Sequence, residues 1–108
     1  MTGDELARRL AEASVTLLDV RAPEEFRGEA GYPCDPRQGH IPEAVNVPLD
    51  DLMADPQTAL EAIDVSRPIV TYCHSGQRSE AAAALLRAAG LQAVNYEGSW
   101  HEWSRRDD

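Results

Sequence analysis

One of the two cysteines in this 108-residue chain stands where a protein can turn a thiol into a nucleophile. Cys73 ends an apparent buried strand, "IVTYC" at 69–73, and the chain turns helical a few residues later. A thiol at such a point faces unpaired backbone N–H groups and the positive end of a helix dipole, and both favour the thiolate. We therefore expect the pKa of Cys73 to lie below the ordinary thiol value of about 8.5.

The residues between this cysteine and the helix are small, polar or basic: His74, Ser75, Gly76, Gln77, Arg78 and Ser79. Gly76 allows the loop to curl so that successive N–H groups point inward and form an anion-binding nest. Arg78 adds a permanent cation suited to an oxyanion, and His74 adds a second charge or a hydrogen-bond donor. Free cysteines are often inert buried residues, but the composition of this loop favours a nucleophile in an anion pocket.

Strand-like and helical segments alternate along the whole chain. Apolar strand patterns run over 15–20, 44–49, 69–73 and 93–96, and helical patterns over 4–13, 50–54, 56–63 and 79–89. Two shorter helices are expected to begin at Pro23 and at Ser99, the latter capped by Ser99 with Glu102 completing a capping box. This alternation predicts an α/β domain with a mainly parallel sheet, in which ligands bind beyond the carboxyl ends of the strands. Cys73 is expected at that edge.

Composition and charge exclude several classes of function. The net charge of −9 argues against nucleic acids and anionic membranes as partners, since both need a basic face. No apolar run is long enough for a transmembrane helix, so we expect a soluble, cytoplasmic domain. Two cysteines and three scattered histidines give neither a disulfide framework nor a metal-ligand spacing, so no metal is expected. The acidic pair 107–108 is interpreted as a solvated terminus.

Four segments, in order, resemble the rhodanese homology domain and, within it, the thiosulfate sulfurtransferases. They are "LLDVRAPEEF" at 17–26, "GHIPEAVNVPL" at 39–49, "YCHSGQRS" at 72–79 and "YEGSWHEW" at 96–103. The resemblance implies a single rhodanese-like α/β domain over 1–108. It also implies a central, mainly parallel sheet of four or five strands flanked by helices on both sides, with an insertion loop at 28–38 and a short capped helix at 99–105. The ending and the insertion resemble the catalytic half of tandem two-domain sulfurtransferases.

The same resemblance implies that Cys73 accepts sulfur as a persulfide and that the segment from Cys73 through Arg78, followed by Ser79, binds the anionic substrate. Four residues separate Cys73 from Arg78, which in this superfamily goes with sulfur transfer. The related phosphatases and arsenate reductases carry one residue more. The donor is expected to be thiosulfate or a similar anion, and the acceptor a thiol, a thioredoxin-like protein or cyanide, with no cofactor. The alternatives are a sulfur-relay module with protein donor and acceptor, and a non-catalytic interaction or sensor domain.

Other polar and aromatic residues have both structural and functional interpretations. Asp19 and Arg21 end the first strand, and the favoured interpretation is that Asp19 anchors backbone N–H groups while Arg21 pairs with a carboxylate such as Glu25. In the functional interpretation Arg21 adds positive field to the pocket. Trp100 and Trp103 share a helix face, where core packing is the default and Trp100 could wall the pocket. His40 and His101 are interpreted as structural and solvated, respectively. Cys34, in the insertion, is interpreted as an exposed spectator thiol; the alternative is a resolving thiol that attacks the Cys73 persulfide and forms a disulfide.

Overall fold

The fold was analysed in a computed structural model that describes residues 1–106; Asp107 and Asp108, expected to form a solvated terminus, lie outside the described residues. Its elements in chain order are α1 (Gly3–Ala11), β1 (Thr16–Asp19), α2 (Pro23–Phe26), β2 (Val45–Asn46), α3 (Leu49–Ala54), α4 (Pro56–Leu60), β3 (Ile69–Tyr72), α5 (Gln77–Ala88), β4 (Ala93–Asn95) and α6 (Ser99–Trp103). Each expected strand and helix is therefore present.

The four strands form one sheet in the order β2-β1-β3-β4. All three ladders are parallel, with Leu18 opposite both Val45 and Thr71, and Val70 opposite Val94. The predicted mainly parallel sheet of four or five strands is confirmed, and within residues 1–106 it is fully parallel with four strands. β1 and β3 are the central strands, so their carboxyl ends lie side by side at one edge of the sheet.

Helices cover the sheet on both faces, as predicted. Successive residues of a strand point to opposite faces, and accordingly Leu17 and Leu18 belong to different apolar clusters. One cluster packs α1 and α6 against the sheet, and the other packs α3, α4 and α5. Every residue of β1 and β3 is buried, because a central parallel strand has no solvent face.

Local sequence signals account for most helix boundaries. Asp55 accepts a hydrogen bond from the Thr58 N–H, and Pro56 occupies the first turn of α4, as expected. α5 begins at Gln77 instead of the predicted Ser79, because Gly76 takes a left-handed conformation (φ +98°) and caps the helix directly. β2 is shorter than the predicted 44–49, since it is an edge strand followed by Pro48, which has no N–H to donate.

The last helix differs from its prediction. Gly98 is the residue that precedes α6 as N-cap, and no side chain caps that helix. Ser99, the predicted cap, is instead the first helical residue with φ +54°. Glu102 accepts a hydrogen bond from the Tyr96 hydroxyl at 2.6 Å. The predicted capping box is therefore wrong, and the Ser99 hydroxyl is available for another role.

The insertion at 28–38 is present and contains no helix or strand. Asp35 within it is nonetheless buried, so this segment packs onto the domain at that point. None of the helices within residues 1–106 combines the length and apolarity needed to cross a membrane.

Candidate active site

Cys73 follows the last residue of β3, at the carboxyl edge of the sheet. Its side chain belongs to the apolar cluster beneath α5, and the residue is only 1% exposed. The backbone then passes through His74, Ser75 and Gly76 before α5 begins. The sulfur thus lies between a buried strand end and the first turn of a twelve-residue helix.

The first turn of α5 holds the sulfur. The Gly76 N–H donates to Cys73 Sγ at 3.1 Å, and the Ser79 hydroxyl donates to it at 3.3 Å. Burial by itself would raise the pKa of Cys73. The hydrogen bonds from the Ser79 hydroxyl and from the N–H groups of Ser79, Gly76 and Ser75 outweigh burial and lower that pKa below the usual thiol range. We call these donors, from Ser75 to Ser79, the sulfur cradle.

Gly76 is required by the backbone of the cradle. Its φ of +98° is in the left-handed region, and a Cβ at this position would lie 2.7 Å from the Glu97 carbonyl oxygen. The Asn95 amide donates to the Gly76 carbonyl at 3.0 Å and fixes the turn from the side of β4. A side chain at position 76 would strain the left-handed backbone of the turn, and it would also displace the Glu97 carbonyl.

The start of α6 is hydrogen-bonded to the backbone of Cys73 and His74. The Ser99 hydroxyl accepts a hydrogen bond from the Cys73 N–H at 3.1 Å and donates to the Tyr96 carbonyl at 2.9 Å. The N–H groups of Trp100 and His101 donate to the carbonyls of Cys73 and His74, each at 2.9 Å. Sequence reasoning missed this role of Ser99, because its position before an apolar helix equally suits an N-cap.

Arg78, expected to bind the anionic substrate, is bound to Glu25. Its Nη1 and Nη2 donate to the two carboxylate oxygens of Glu25 at 2.8 and 3.1 Å. This hydrogen bond to Glu25 raises the pKa of Arg78, while the guanidinium outweighs the burial of Glu25 and lowers the pKa of that carboxyl. Glu25 was expected to pair with Arg21, so the sequence identified a paired carboxylate but assigned it the wrong arginine.

Arg21 and Asp19 form a separate buried pair at the end of β1. Arg21 donates from Nε and Nη2 to the Asp19 carboxylate, with the shortest contact at 2.7 Å, and from Nη2 to the Gly39 carbonyl. Asp19 also accepts from the Arg21 N–H and the Tyr72 hydroxyl. This is the anchoring expected for Asp19. The guanidinium is enclosed, 1% exposed, and its hydrogen bonds satisfy the buried carboxylate.

His74 lies against the insertion. Its Nε2–H donates to Asp35 at 2.9 Å, and its ring stacks on Tyr32 with the two centroids 3.7 Å apart. Asp35 is fully buried and also accepts from Arg105 at 2.9 Å, while His101 lies 3.5 Å away. Burial alone would raise the pKa of Asp35, but the Arg105 hydrogen bond and the His74 contact lower it. The expected solvated His101 is half-exposed and contacts this cluster.

The remaining predicted site residues are distributed around the cradle. Ser75 and Gln77 are exposed and, with Gly76, Glu80, Asn95 and Glu97, border an open depression beside it. Trp100 is buried and donates its indole N–H to the Arg37 carbonyl. Its ring covers Arg21, with the guanidinium carbon 5.3 Å from the ring centroid.

Trp103 packs edge-on against Tyr96. His40 stacks on Phe26, as a structural residue does.

Cys34, Asp35 and His101 are the described residues whose side chains could together hold a metal ion, since their ligand atoms lie within 4.8 Å of one another. The Arg105 guanidinium, 2.9 Å from Asp35, already places a positive charge against the buried carboxylate of this trio. Cys34 is an exposed free thiol, with its sulfur 3.9 Å from the Asp35 carboxylate.

The fold and the cradle define a class: small parallel α/β domains in which a cysteine side chain at the end of a central strand accepts hydrogen bonds from the first turn of the next helix. The sequence model of the Rhodanese-like domain matches residues 2–106, and the chain belongs to that family.

Individual relatives agree with this assignment. The chain is 35% identical to a thiosulfate sulfurtransferase of Azotobacter vinelandii, over 97% of this chain and 42% of that protein. A solved structure described as a probable thiosulfate sulfurtransferase matches with a TM-score of 0.81 and 45% identity, over 97% of this chain and 44% of its own. The chain spans about two fifths of the length of the curated relatives it matches.

A human single-domain sulfurtransferase matches this chain over nearly the full length of both. Its solved structure matches with a TM-score of 0.78 and 27% identity, over 100% of this chain and 96% of that one. The resemblance inferred from the four sequence segments is thus confirmed at the level of family and fold.

Proposed function

We propose that this domain is a sulfurtransferase in which Cys73 carries sulfane sulfur as a persulfide. The observation that supports it most directly is the pair of donors on the thiol, the Gly76 N–H at 3.1 Å and the Ser79 hydroxyl at 3.3 Å. A thiolate held this way is both a nucleophile and a stabilised leaving group. No metal or organic cofactor is part of the proposal, because the chemistry needs only a thiolate and donors to hold an anionic sulfur.

In the first half-reaction the Cys73 thiolate attacks the outer sulfur of thiosulfate. A new S–S bond forms at Cys73, the S–S bond of thiosulfate breaks, and sulfite leaves with the electron pair. The negative charge moves from Cys73 Sγ to the added sulfur, which the N–H groups of the cradle can hold.

In the second half-reaction an acceptor attacks the outer sulfur of the persulfide. The Cys73–S bond to that sulfur breaks, and the cradle recovers the thiolate. A thiol acceptor leaves as a persulfide and cyanide leaves as thiocyanate. Thiol acceptors include thioredoxin-like proteins. We propose a reducing compartment such as the cytoplasm for the domain, because Cys73 must stay a free thiol to accept sulfur.

The comparisons support the reaction class, since the relatives are named as thiosulfate sulfurtransferases. The human single-domain protein supports the idea that a chain of this extent is a sulfurtransferase by itself. The sulfur-relay alternative uses the same persulfide and differs in having protein donors and acceptors.

The test is an intact-mass measurement after incubation with thiosulfate. Wild-type protein should gain the mass of one sulfur atom, and Cys73→Ser should gain none. Cys34→Ser is the matched control, because it removes the other, exposed thiol and should load like the wild type. An adduct in Cys73→Ser would contradict the assignment of the carrier. Loading only from a persulfidated protein would favour the relay over a thiosulfate enzyme.

A further inference from the structure

Three basic side chains near the cradle each contact a carboxylate of the domain. Arg78 is bound to Glu25, Arg21 to Asp19 and His74 to Asp35. Sequence reasoning assigned the first and third of these basic groups to the anionic end of the donor. Two of the pairs are enclosed, with Arg21 1% and the His74 side chain 11% exposed. Arg78 is the most accessible of the three, with 36% of its side chain exposed.

The Arg78–Glu25 contact has the geometry that a bound oxyanion would take. Both Nη groups of Arg78 point at the two carboxylate oxygens of Glu25, at 2.8 and 3.1 Å. This two-point contact is how guanidinium groups recognise carboxylate and phosphate, and it would serve the sulfonate of thiosulfate in the same way. A dianionic donor therefore meets an arginine whose two-point donor face is taken by Glu25 and whose charge that carboxylate balances, although its Nε–H and the second N–H of each Nη lie outside this contact.

Negative charge elsewhere around the cradle also disfavours a dianionic donor. Glu97 borders the depression beside Ser75 and Gly76, where Glu80 is paired with Arg87 at 3.2 Å, and the whole chain carries a net charge of −9. Local fields of one sign lower the concentration of ions of the same sign near a site. The cradle binds negative charge at short range through N–H groups, while the residues around it disfavour a second negative charge on the same donor.

We infer that Glu25 is a specificity-determining residue that occupies Arg78 and makes the site select donors with one negative charge, such as the persulfide of a thiol, over the dianion thiosulfate. The inference rests on the proposed function and names the donor class for it. With such a donor the Cys73 thiolate attacks the outer sulfur of R–S–S⁻, the S–S bond breaks, the thiolate R–S⁻ leaves, and the outer sulfur stays on Cys73 with its negative charge. No oxidant or reductant is consumed, and no sulfonate has to be bound.

Glu25 has one further contact that the test must preserve. Its Oε1 accepts a hydrogen bond from the Ala22 N–H at 3.2 Å and so caps α2. Glu25→Gln keeps an oxygen for this bond and removes the charge that neutralises Arg78. Glu24→Gln is the matched control: it makes the same charge change one residue away, at a side chain that is 57% exposed and lies 3.9 Å from Arg27.

The experiment measures the second-order rate constant for sulfur loading onto Cys73 with thiosulfate and, separately, with cysteine persulfide. Glu25→Gln should raise the constant for thiosulfate about fivefold, the size expected of a partly exposed charge pair. The constant for cysteine persulfide should change by less than about twofold, as should both constants in Glu24→Gln. Equal gains with both donors, a loss with thiosulfate, or the same gain in Glu24→Gln would overturn the inference.

A second measurement does not depend on sulfur transfer. Sulfate is a dianion that donates no sulfur, and its binding can be read from the protection of Cys73 against iodoacetamide in a Cys34→Ser background. The sulfate concentration that halves alkylation should fall about fivefold in Glu25→Gln and also in Glu25→Ala, whose folding is checked by its Tm. Unchanged or weaker protection in both variants refutes the role of Glu25. If no donor loads any variant, the proposed function fails while this measurement still decides on Glu25.

Discussion

The carboxylate of Asp35 and the imidazole of His74 lie 2.9 Å apart, although 39 positions separate them in the chain. Asp35 belongs to the insertion and His74 follows the cysteine, so this contact joins the insertion directly to the candidate active site. The Asp35 side chain is fully enclosed and also binds Arg105. A buried carboxylate that accepts hydrogen bonds from a guanidinium and an imidazole holds the insertion in place only while it is ionised.

Asp35→Asn should destabilise the fold by about 2 kcal/mol, because the amide leaves Arg105 and His74 without their charged acceptor. The pKa of Asp35 is lowered in the folded state. The stabilisation is therefore complete above the unfolded carboxyl pKa and is lost as pH falls through the lower, folded value. Urea unfolding between about pH 2 and pH 5, a range that spans the unfolded carboxyl pKa of about 3.9 and the values below it, measures this dependence.

The control for that measurement is Glu29→Gln, which removes an exposed carboxylate paired with Arg27. It should leave the unfolding midpoint nearly unchanged at every pH. A pH dependence that persists undiminished in Asp35→Asn would show that other carboxyls determine the acid stability.

Ser79→Ala should raise the pKa of Cys73, since it removes the hydroxyl that donates to the sulfur at 3.3 Å. The thiolate is the reactive form above the pKa, so the pH profile of iodoacetamide alkylation should move to higher pH. At neutral pH we expect alkylation to slow about three- to tenfold, the size of one lost hydrogen bond of about 0.5–1.5 kcal/mol. Ser75→Ala is the control, because its exposed side chain leaves the N–H donor intact, and its profile should match the wild type.

Gly76→Ala should unfold the cradle and abolish sulfur loading. The substitution imposes left-handed strain and places a Cβ 2.7 Å from the Glu97 carbonyl, which together should cost more than about 2 kcal/mol. Gly90→Ala carries the strain alone, since φ there is +89° and nothing lies within 4 Å of the point that its new Cβ would occupy. Thermal unfolding should therefore rank wild type above Gly90→Ala and Gly90→Ala above Gly76→Ala. If both variants lose the same amount of thermal stability, the contact between a Cβ at position 76 and the Glu97 carbonyl does not contribute to the loss.

Arg21→Lys should destabilise the domain by about 2 kcal/mol without changing the pH profile of Cys73 alkylation. A lysine cannot reproduce the forked contact with Asp19 and the bond to the Gly39 carbonyl together. The matched change Arg27→Lys affects a half-exposed pair and should be nearly silent. If the alkylation profile of Arg21→Lys moves to higher pH, the positive charge of Arg21 helps to lower the pKa of Cys73.

The sequence is most informative where one local cause determines the structure. The buried strand before Cys73, the glycine at 76 and the Asp55-Pro56 start of α4 each follow from backbone preferences of single residues, and the structure places all three as expected. The alternation of short strands and helices likewise specifies a parallel sheet with two covered faces. That is why the fold and the position of the thiol could be predicted.

The sequence is least informative about side-chain partners across long separations. Glu25 and Arg78 are 53 positions apart, and nothing local indicates that this carboxylate binds Arg78 instead of Arg21. Asp35 lies in a segment rich in proline and glycine, where burial of a charge is unexpected. Ser99 has the residue type and position of a helix cap, so only the three-dimensional contact with the Cys73 N–H distinguishes the two roles.

The contact between Ser99 and Cys73 also orders events during synthesis. The hydroxyl that binds the Cys73 N–H is made 26 residues after the cysteine itself, and Trp100, whose N–H binds the Cys73 carbonyl, is made later still. Translation adds about 5–20 residues per second. For a second or more, the nascent chain therefore carries Cys73 without these two backbone contacts, which form only after α6 has left the ribosome and packed against the end of β3.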